Sequence, residues 1–400
     1  MYGVSLITFH YNGVVIKAKP EDFVVEEKAD LPLVPAGPYR VYLLTKEGWT
    51  TPDLVRRLAR ECGVSPAALS YGGKKDKHGR TSQYIAFRDG RDFSRRGEGF
   101  SLEPVGYMDR PMGPDLLLGN AFRVVLRDLA STEPAERALA EARRTGCPNS
   151  FDAQRFRSYD PERGFFAEKI LRRHWNGALQ VFLTSTAPGM WGPEKIRRRE
   201  LFDRWRDWPR CRELARSREE REIFDFLVAH PTDQVKVLHK LPQEEISMRY
   251  SSFQSHLWNE LLRQVVRDAV PDPVPVPGAE GDYLYWTGDQ ARAAAGLLAL
   301  DLPTCAARMD FPDDRMRDLF AGILSSRNLK LGDFRTRALH RVYFKSFPRP
   351  AAIVPEKPVI LEAAADELNR GHRRLTLSFS LPRGSYATIL IKRLTLENAG

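Results

Sequence analysis

Residues 70–82 read Ser-Tyr-Gly-Gly-Lys-Lys-Asp-Lys-His-Gly-Arg-Thr-Ser. Gly72, Gly73 and Gly79 permit tight turns, so the stretch is expected to be a loop. It runs straight into Thr81–Phe87 (TSQYIAF), whose β-branched and aromatic content predicts a strand. Inside the loop a single carboxylate, Asp76, stands among Lys74, Lys75, Lys77 and Arg80. Cations at that range favour the ionised acid, so Asp76 is expected to stay an anion well below neutral pH. An isolated, ionised aspartate is a poor general acid but a usable nucleophile, and the surrounding lysines suit phosphates. Taken alone, the segment also fits a solvated turn whose acid offsets its lysines.

Outward from the loop, the first 130 residues alternate short strand signals with one helix. Gly13–Lys19 and Phe23–Glu27 flank a Pro20-Glu21-Asp22 turn, and Pro38–Leu44 is another β-rich run. Thr51-Pro52-Asp53 predicts a helix start with Thr51 as cap, Leu54, Val55, Leu58 and Cys62 as its apolar face and Gly63 as its stop. Asn120–Leu126 reads as a strand, and Arg88–Phe100 as a basic, Gly-rich loop. From about residue 160 to 340 helical patterns dominate. One is Lys195–Trp208, with Leu201, Trp205 and Trp208 at helical spacing between arginines; another is Ser251–Val266, opening on a Ser-x-x-Gln capping box. Val270–Gly278 (VPDPVPVPG) predicts a stiff proline connector. Beyond 340 strand patterning returns, with Leu375, Leu377 and Phe379 alternating with Thr376, Ser378 and Ser380.

Two further segments carry candidate chemistry. Pro148–Phe156 (PNSFDAQRF) combines an amide, two aromatics and an arginine, the groups that read a base edge and stack on its face; an ordinary loop with buried Phe anchors has the same composition. Leu381–Arg393 (LPRGSYATILIKR) places a Pro-Arg-Gly turn before Ser385 and Tyr386; its β-branched residues leave helix and strand both open, and Tyr386 could equally be core.

Composition narrows the class. With 400 residues, two domains or one with a large insertion are expected. Lysine and arginine number 62 against 52 acids, a net charge of +10 that suits a polyanionic partner. Apolar runs such as Ala293–Leu300 fall far short of a membrane span, and the N-terminal residues show no export leader. Cys62, Cys147, Cys211 and Cys305 lack CxxC spacing, and the histidines form neither HxxxH nor HExxH, so no metal signature is present. Walker, GxGxxG and GxSxG patterns are missing as well. A cytoplasmic protein, not a membrane protein, is expected.

Taken in order, Lys17 with Pro20-Glu21-Asp22-Phe23, Gly72-Gly73-Lys74-Lys75-Asp76-Lys77, Pro148–Phe156, Ser251–Asn259 and Leu381–Thr388 resemble the TruD family of tRNA pseudouridine synthases over nearly the whole chain. The resemblance implies an α+β fold: a catalytic domain on a mainly antiparallel sheet, formed by residues 1–157 and 341–400, interrupted by a largely helical insertion at 158–340. It implies isomerisation of uridine, with uridine-13 of tRNA as target, tRNA as partner, no cofactor, no metal, and a monomer. By position, Asp76 matches the catalytic aspartate, with Lys17, Phe23 and Tyr386 in support. Asn149 and Phe151 match residues of the uridine pocket, and Lys75 and Lys77 stand on the substrate side. Pseudouridine synthesis at other RNA sites and non-catalytic RNA binding are the rival readings; an acid among basic residues is hard to motivate for phosphate binding alone.

Overall fold

The computed structural model describes residues 9–11, 13–186, 190, 192–336, 339 and 342–398. The expectation about an export leader falls on the N-terminal segment, of which residues 1–8 and 12 lie outside the described part. The chain divides into two compact units, 1–147 with 353–400, and 148–352. The expected boundaries were 157/158 and 340/341.

The first unit is built on an eleven-stranded sheet. Its strands are β1 (Phe9–Tyr11), β2 (Val14–Ile16), β3 (Phe23–Ala29), β4 (Tyr39–Lys46), β5 (Leu69–Tyr71), β6 (Arg80–Phe87), β7 (Arg95–Gly97), β8 (Phe100–Met108) and β9 (Leu117–Leu129), with a C-terminal pair, Glu356–Ala365 and Arg373–Pro382. The order runs β7-β8-β4-β6-β3-β9, then Arg373–Pro382 and Glu356–Ala365; β5 adds to β6, and β2 with β1 to the end of β9. Pairings are antiparallel except β3 with β6. The expected basic loop at 88–100 therefore contains a strand, β7, folded back on β8.

Helix α1 (Thr51–Cys62) buries Leu54, Val55, Leu58 and Cys62 against Tyr42, Leu44, Ile85 and Phe87. Its cap is Thr50, whose hydroxyl accepts from the Asp53 amide at 3.2 Å; the expected cap, Thr51, is the first helical residue. That one-residue difference leaves the buried Thr51 hydroxyl for another task, described below.

In the second unit the helix expected from Ser251 begins eight residues earlier and spans Gln243–Ala269. Ser251 is not a cap. Ile246 and Tyr250 extend the buried stripe of Phe253 and Leu257 backward, so packing outweighs the local capping signal. The expected helix 195–208 is two, Gly192–Asp203 and Trp208–Glu213, parted by Arg206 at φ 82°. Trp208 is buried, and Arg197 is held between Glu194 and Glu220. The proline connector contains a strand, Val274–Val276, paired with Tyr283–Tyr285.

Candidate active site

Loop 72–79 lies along β3. Gly72 abuts Leu117, which pairs with Ala29 at the end of β3; Lys75 pairs with Glu27; Gly79 abuts Phe23 at the start of β3. At Gly79 a Cβ would stand 2.4 Å from the Phe23 carbonyl oxygen, so only glycine lets the chain pass there. The loop backbone is then pinned from both sides. The Lys75 amide donates to Thr51 Oγ1 at 3.0 Å, Thr51 donates to Gln83 Oε1 at 2.7 Å, and Gln83 Nε2 donates to the Gly73 carbonyl at 3.1 Å. The Gly48 amide holds the Lys77 carbonyl at 3.2 Å.

Lys46 completes the clamp. Its ammonium is buried and donates to the carbonyl oxygens of Asp76 (2.7 Å), Trp49 (2.8 Å) and Lys75 (3.4 Å). Burial pushes its pKa down to about 8, against the pull of the Asp76 carboxylate.

The Asp76 carboxylate accepts from Lys17 Nζ and, at 3.2 Å, from the His78 amide. The Lys17 side chain is 6% exposed and that of Asp76 21%, so the acid is the member of the pair open to a ligand. Burial acts to lift the Asp76 pKa, but the charge of Lys17, its hydrogen bond and the His78 amide outweigh it. The carboxyl is held below its ordinary value. Lys17 also stands over the Phe23 ring, 4.1 Å from its centroid, a cation–π contact. Its backbone lies in the left-handed region at φ 59°, where a non-glycine residue is strained. The strained residue is thus also the one that meets the acid.

The turn carrying Lys17 is anchored by Arg127 of β9. The guanidinium takes Asp22 with two hydrogen bonds (2.8 and 2.9 Å) and Asp366 with one (2.8 Å), all buried. Asp22 in turn accepts the Lys19 amide at 2.9 Å.

Of the expected residues, the structure brings Lys17 into contact with both Asp76 and Phe23. Tyr386 is half-buried and precedes the C-terminal helix Ala387–Leu394, which decides the helix-or-strand question; Gly384 makes the preceding turn at φ 86°. Lys75, expected on the substrate side, turns its ammonium onto fully buried Glu27. Lys77 is exposed. Asn149 and Phe151 belong to the second unit. Asn149 donates to the Pro350 carbonyl and accepts from Arg349; Phe151 is buried edge-on to Trp258, with its backbone bonded to Asn259. Their polar groups are spent on their own unit's packing.

Sequence reasoning passed over Asn120 and Phe122. Register puts Asn120 opposite Glu27 and Phe122 opposite Val25, on the face of β3 over which the loop lies. Phe122 stacks on Phe379 (5.4 Å) and meets Phe23 edge-on (6.1 Å). Asn120 Oδ1 and Ser385 Oγ are both shielded from solvent with no hydrogen-bond partner among the described residues. They lie at one end of the sheet, since Leu381 pairs with Asn120 and the Arg383 amide bonds to the Leu118 carbonyl. The Asn120-x-Phe122 alternation in a predicted strand was the available signal.

One group has the elements of a metal site. His256, Glu260 and Glu280 converge in the second unit. Arg263 bonds Glu260 (2.9 Å) and Glu280 (3.0 Å), and Arg327 meets the His256 Nε2. Two guanidinium groups therefore hold the positions beside the would-be ligands, and the cluster is an internal charge network.

A family model for tRNA pseudouridine synthase D (TruD) matches residues 6–394. The chain belongs to the TruD family. The tRNA pseudouridine synthase D of Leptospira interrogans is 28% identical over 398 residues, 96% of each chain. That of Aquifex aeolicus is 28% identical over 392 residues, 95% of this chain and 97% of the other. A crystal structure from Methanosarcina mazei assigned to TruD superposes with a TM-score of 0.71 at 25% identity, covering 97% of this chain and 94% of its own. The mixed α+β fold is the family's fold. Among the described residues no helix is long and apolar enough to cross a membrane.

Proposed function

We propose that the protein isomerises uridine to pseudouridine in tRNA, at uridine-13, with Asp76 as the catalytic residue and with neither cofactor nor metal. The observation that carries this reading is the ionised Asp76 carboxylate, partly open, held by buried Lys17 over the Phe23 ring. An anion without a second acid cannot run a general acid–base pair, but it can meet the ribose of an extruded nucleoside. The choice of uridine-13 rests on the family resemblance.

The reaction breaks the bond from uracil N1 to ribose C1′, turns the base, and rejoins it through C5, which loses its proton to solvent while N1 takes one up. The uridine must first leave its stack, at a cost of a few kcal/mol that pocket contacts offset. Asp76 then attacks or stabilises C1′, takes the C2′ proton on a glycal route, or adds to C6. Lys17 keeps it ionised and oriented in all three. Water leaving with the docked RNA strengthens that pair, because a drier site raises the value of each charge contact. Phe23, Phe122 and Tyr386 supply aromatic walls. In this reading Asn120 and Ser385, whose shielded atoms have no partner among the described residues, add hydrogen-bonding groups to the reading part that the resemblance gives to Asn149. The first unit carries the chemistry and the second selects the tRNA.

The test is tritium release from unmodified tRNA transcripts labelled at uracil C5, with no added cofactor. Release by wild type and its loss in Asp76→Asn support the reading. Equal release by both removes Asp76 from the mechanism, and no release by wild type on any tRNA leaves an RNA-binding protein.

A further inference from the structure

The second unit displays an aromatic row that its own packing does not use. In the irregular segment 342–347, Val342 and Phe344 are buried, Phe344 stacking on Tyr250 with centroids 4.7 Å apart at 13°. The alternate residues point outward: Tyr343 is 75% exposed, Phe347 45%, and Lys345 between them is exposed too. The backbone beneath is fixed. Gln254 Nε2 donates to the Lys345 carbonyl at 3.0 Å, and Phe347 exchanges two hydrogen bonds of 3.0 Å with Thr304. Two rings flanking a cation are therefore held out rigidly, and leaving that much aromatic surface in water forfeits burial that folding would otherwise gain.

Beside the row is a pocket of about 300 Å³. Its other wall is one stripe of the long helix, Gln243, Ser247, Ser251 and Gln254, since residues three and four apart share a helix face. The Ser247 and Ser251 hydroxyls both donate and accept, as base edges require, while the Gln254 amide nitrogen is committed to the Cys305 and Lys345 carbonyls. The described lining includes no carboxylate, whereas the pocket bounded by Glu260 and Asp318 and the one bounded by Glu47 and Glu103 do. With Lys345 as its cation, this lining opposes a polyanion with no like charge.

We infer that this pocket and the Tyr343–Lys345–Phe347 row bind an unpaired stretch of the RNA substrate. One base enters the pocket against Tyr343, Lys345 meets a phosphate, and Phe347 carries a neighbouring base. Aromatic plates with a basic residue between them are how single strands are held without sequence preference, and the polar stripe adds edge contacts at one position. The inference rests on the proposed function for the class of ligand, but not on the role of Asp76.

The test is fluorescence anisotropy with fluorescein-labelled tRNA transcript and a labelled single-stranded oligoribonucleotide, on the full chain. Tyr343→Ala and Phe347→Ala are each expected to raise Kd roughly 5- to 150-fold, the equivalent of one base stack, and Tyr343→Phe to restore binding. Lys345→Gln should lower the log–log salt slope by about one. In tritium release the aromatic variants should raise KM and leave kcat at saturating tRNA unchanged. A Tyr343→Ala/Phe347→Ala double variant that binds both RNAs like wild type overturns the inference. So does a double variant that loses only self-association in sedimentation, which would make the row a protein-docking face. Wild type that binds RNA with these losses but releases no tritium would sink the proposed reaction and keep this site; wild type that isomerises while the double variant keeps its Kd and KM would do the reverse.

Discussion

Lys17 meets Asp76 across 59 residues of sequence, from a left-handed backbone and with its ammonium over Phe23. The pair joins the turn before β3 to the loop before β6, the two strands that form the sheet's parallel pairing. The acid's environment is thus set by a strand neighbour, not by the lysines beside it in sequence: Lys75 is occupied with Glu27 and Lys77 is exposed.

Asp76→Asn keeps the shape of the side chain and removes its charge. Pseudouridine formation should fall by about 10³-fold or more, and the urea midpoint should fall too, because buried Lys17 is left without its counter-charge. Tritium release and equilibrium unfolding measure the two.

Lys17→Met should shift the pH profile. In wild type the depressed Asp76 pKa keeps the carboxylate ionised well into the acid range, and activity falls only as pH drops through that low value. Without the lysine, burial acts unopposed by its charge, so the acid limb of kcat/KM should move to higher pH. A limb that stays in place would show that Lys17 does not set the charge state.

Lys46→Met strips three carbonyls of the loop region of their donor. Hydrogen exchange in 72–78 should rise at least about tenfold, and kcat should drop with it. The stability linkage has a definite sign. The folded pKa of about 8 lies below the ordinary 10.5, so between those values the unfolded chain binds more protons. Wild-type stability should therefore gain with pH across that window, by up to a few kcal/mol, and the variant should lack the gain. Urea titrations at pH 7.5 and 10 would show it.

Arg127→Ala leaves Asp22 and Asp366 buried without their cation, and should cost about 3–5 kcal/mol. Burial acts to raise the Asp366 pKa, but its bonds to Asn369, backbone amides and Arg127 win and lower it. Its contribution is present above the unfolded carboxylate pKa and is lost as pH falls through the folded one, so wild type should lose this stability below about pH 4.

Binding to tRNA should be mainly electrostatic. If some six to ten phosphates are neutralised, affinity should drop roughly 10³–10⁵-fold from 50 to 200 mM salt. A flat log–log plot would count against phosphate contacts as the main source of affinity.

Much of this was legible before any coordinates. β-branched and aromatic content between turn signals predicted β3, β6 and β9, and alternation predicted the strand Arg373–Pro382, because a half-buried strand writes its two faces into every second residue. The glycines and the lone acid marked the loop, and order along the chain pointed to the family. Signals that depend only on neighbours in sequence missed by small but consequential steps. Thr51 looked like a cap and holds the Lys75 amide instead; Ser251 looked like a helix start and lies in the middle of one.

What the sequence alone determined was the inventory: which residues can turn, which alternate, and which single carboxylate stands among cations. Tertiary structure decided the partnerships. Glu27 claims Lys75, Lys46 clamps the loop, Arg127 gathers Asp22 with Asp366, and Phe122 joins Phe23 to Phe379. Each such pair comes from strand register and side-chain burial between segments far apart in the chain. A one-residue slip would turn those side chains to the opposite face, and no local pattern encodes which distant strand lies alongside.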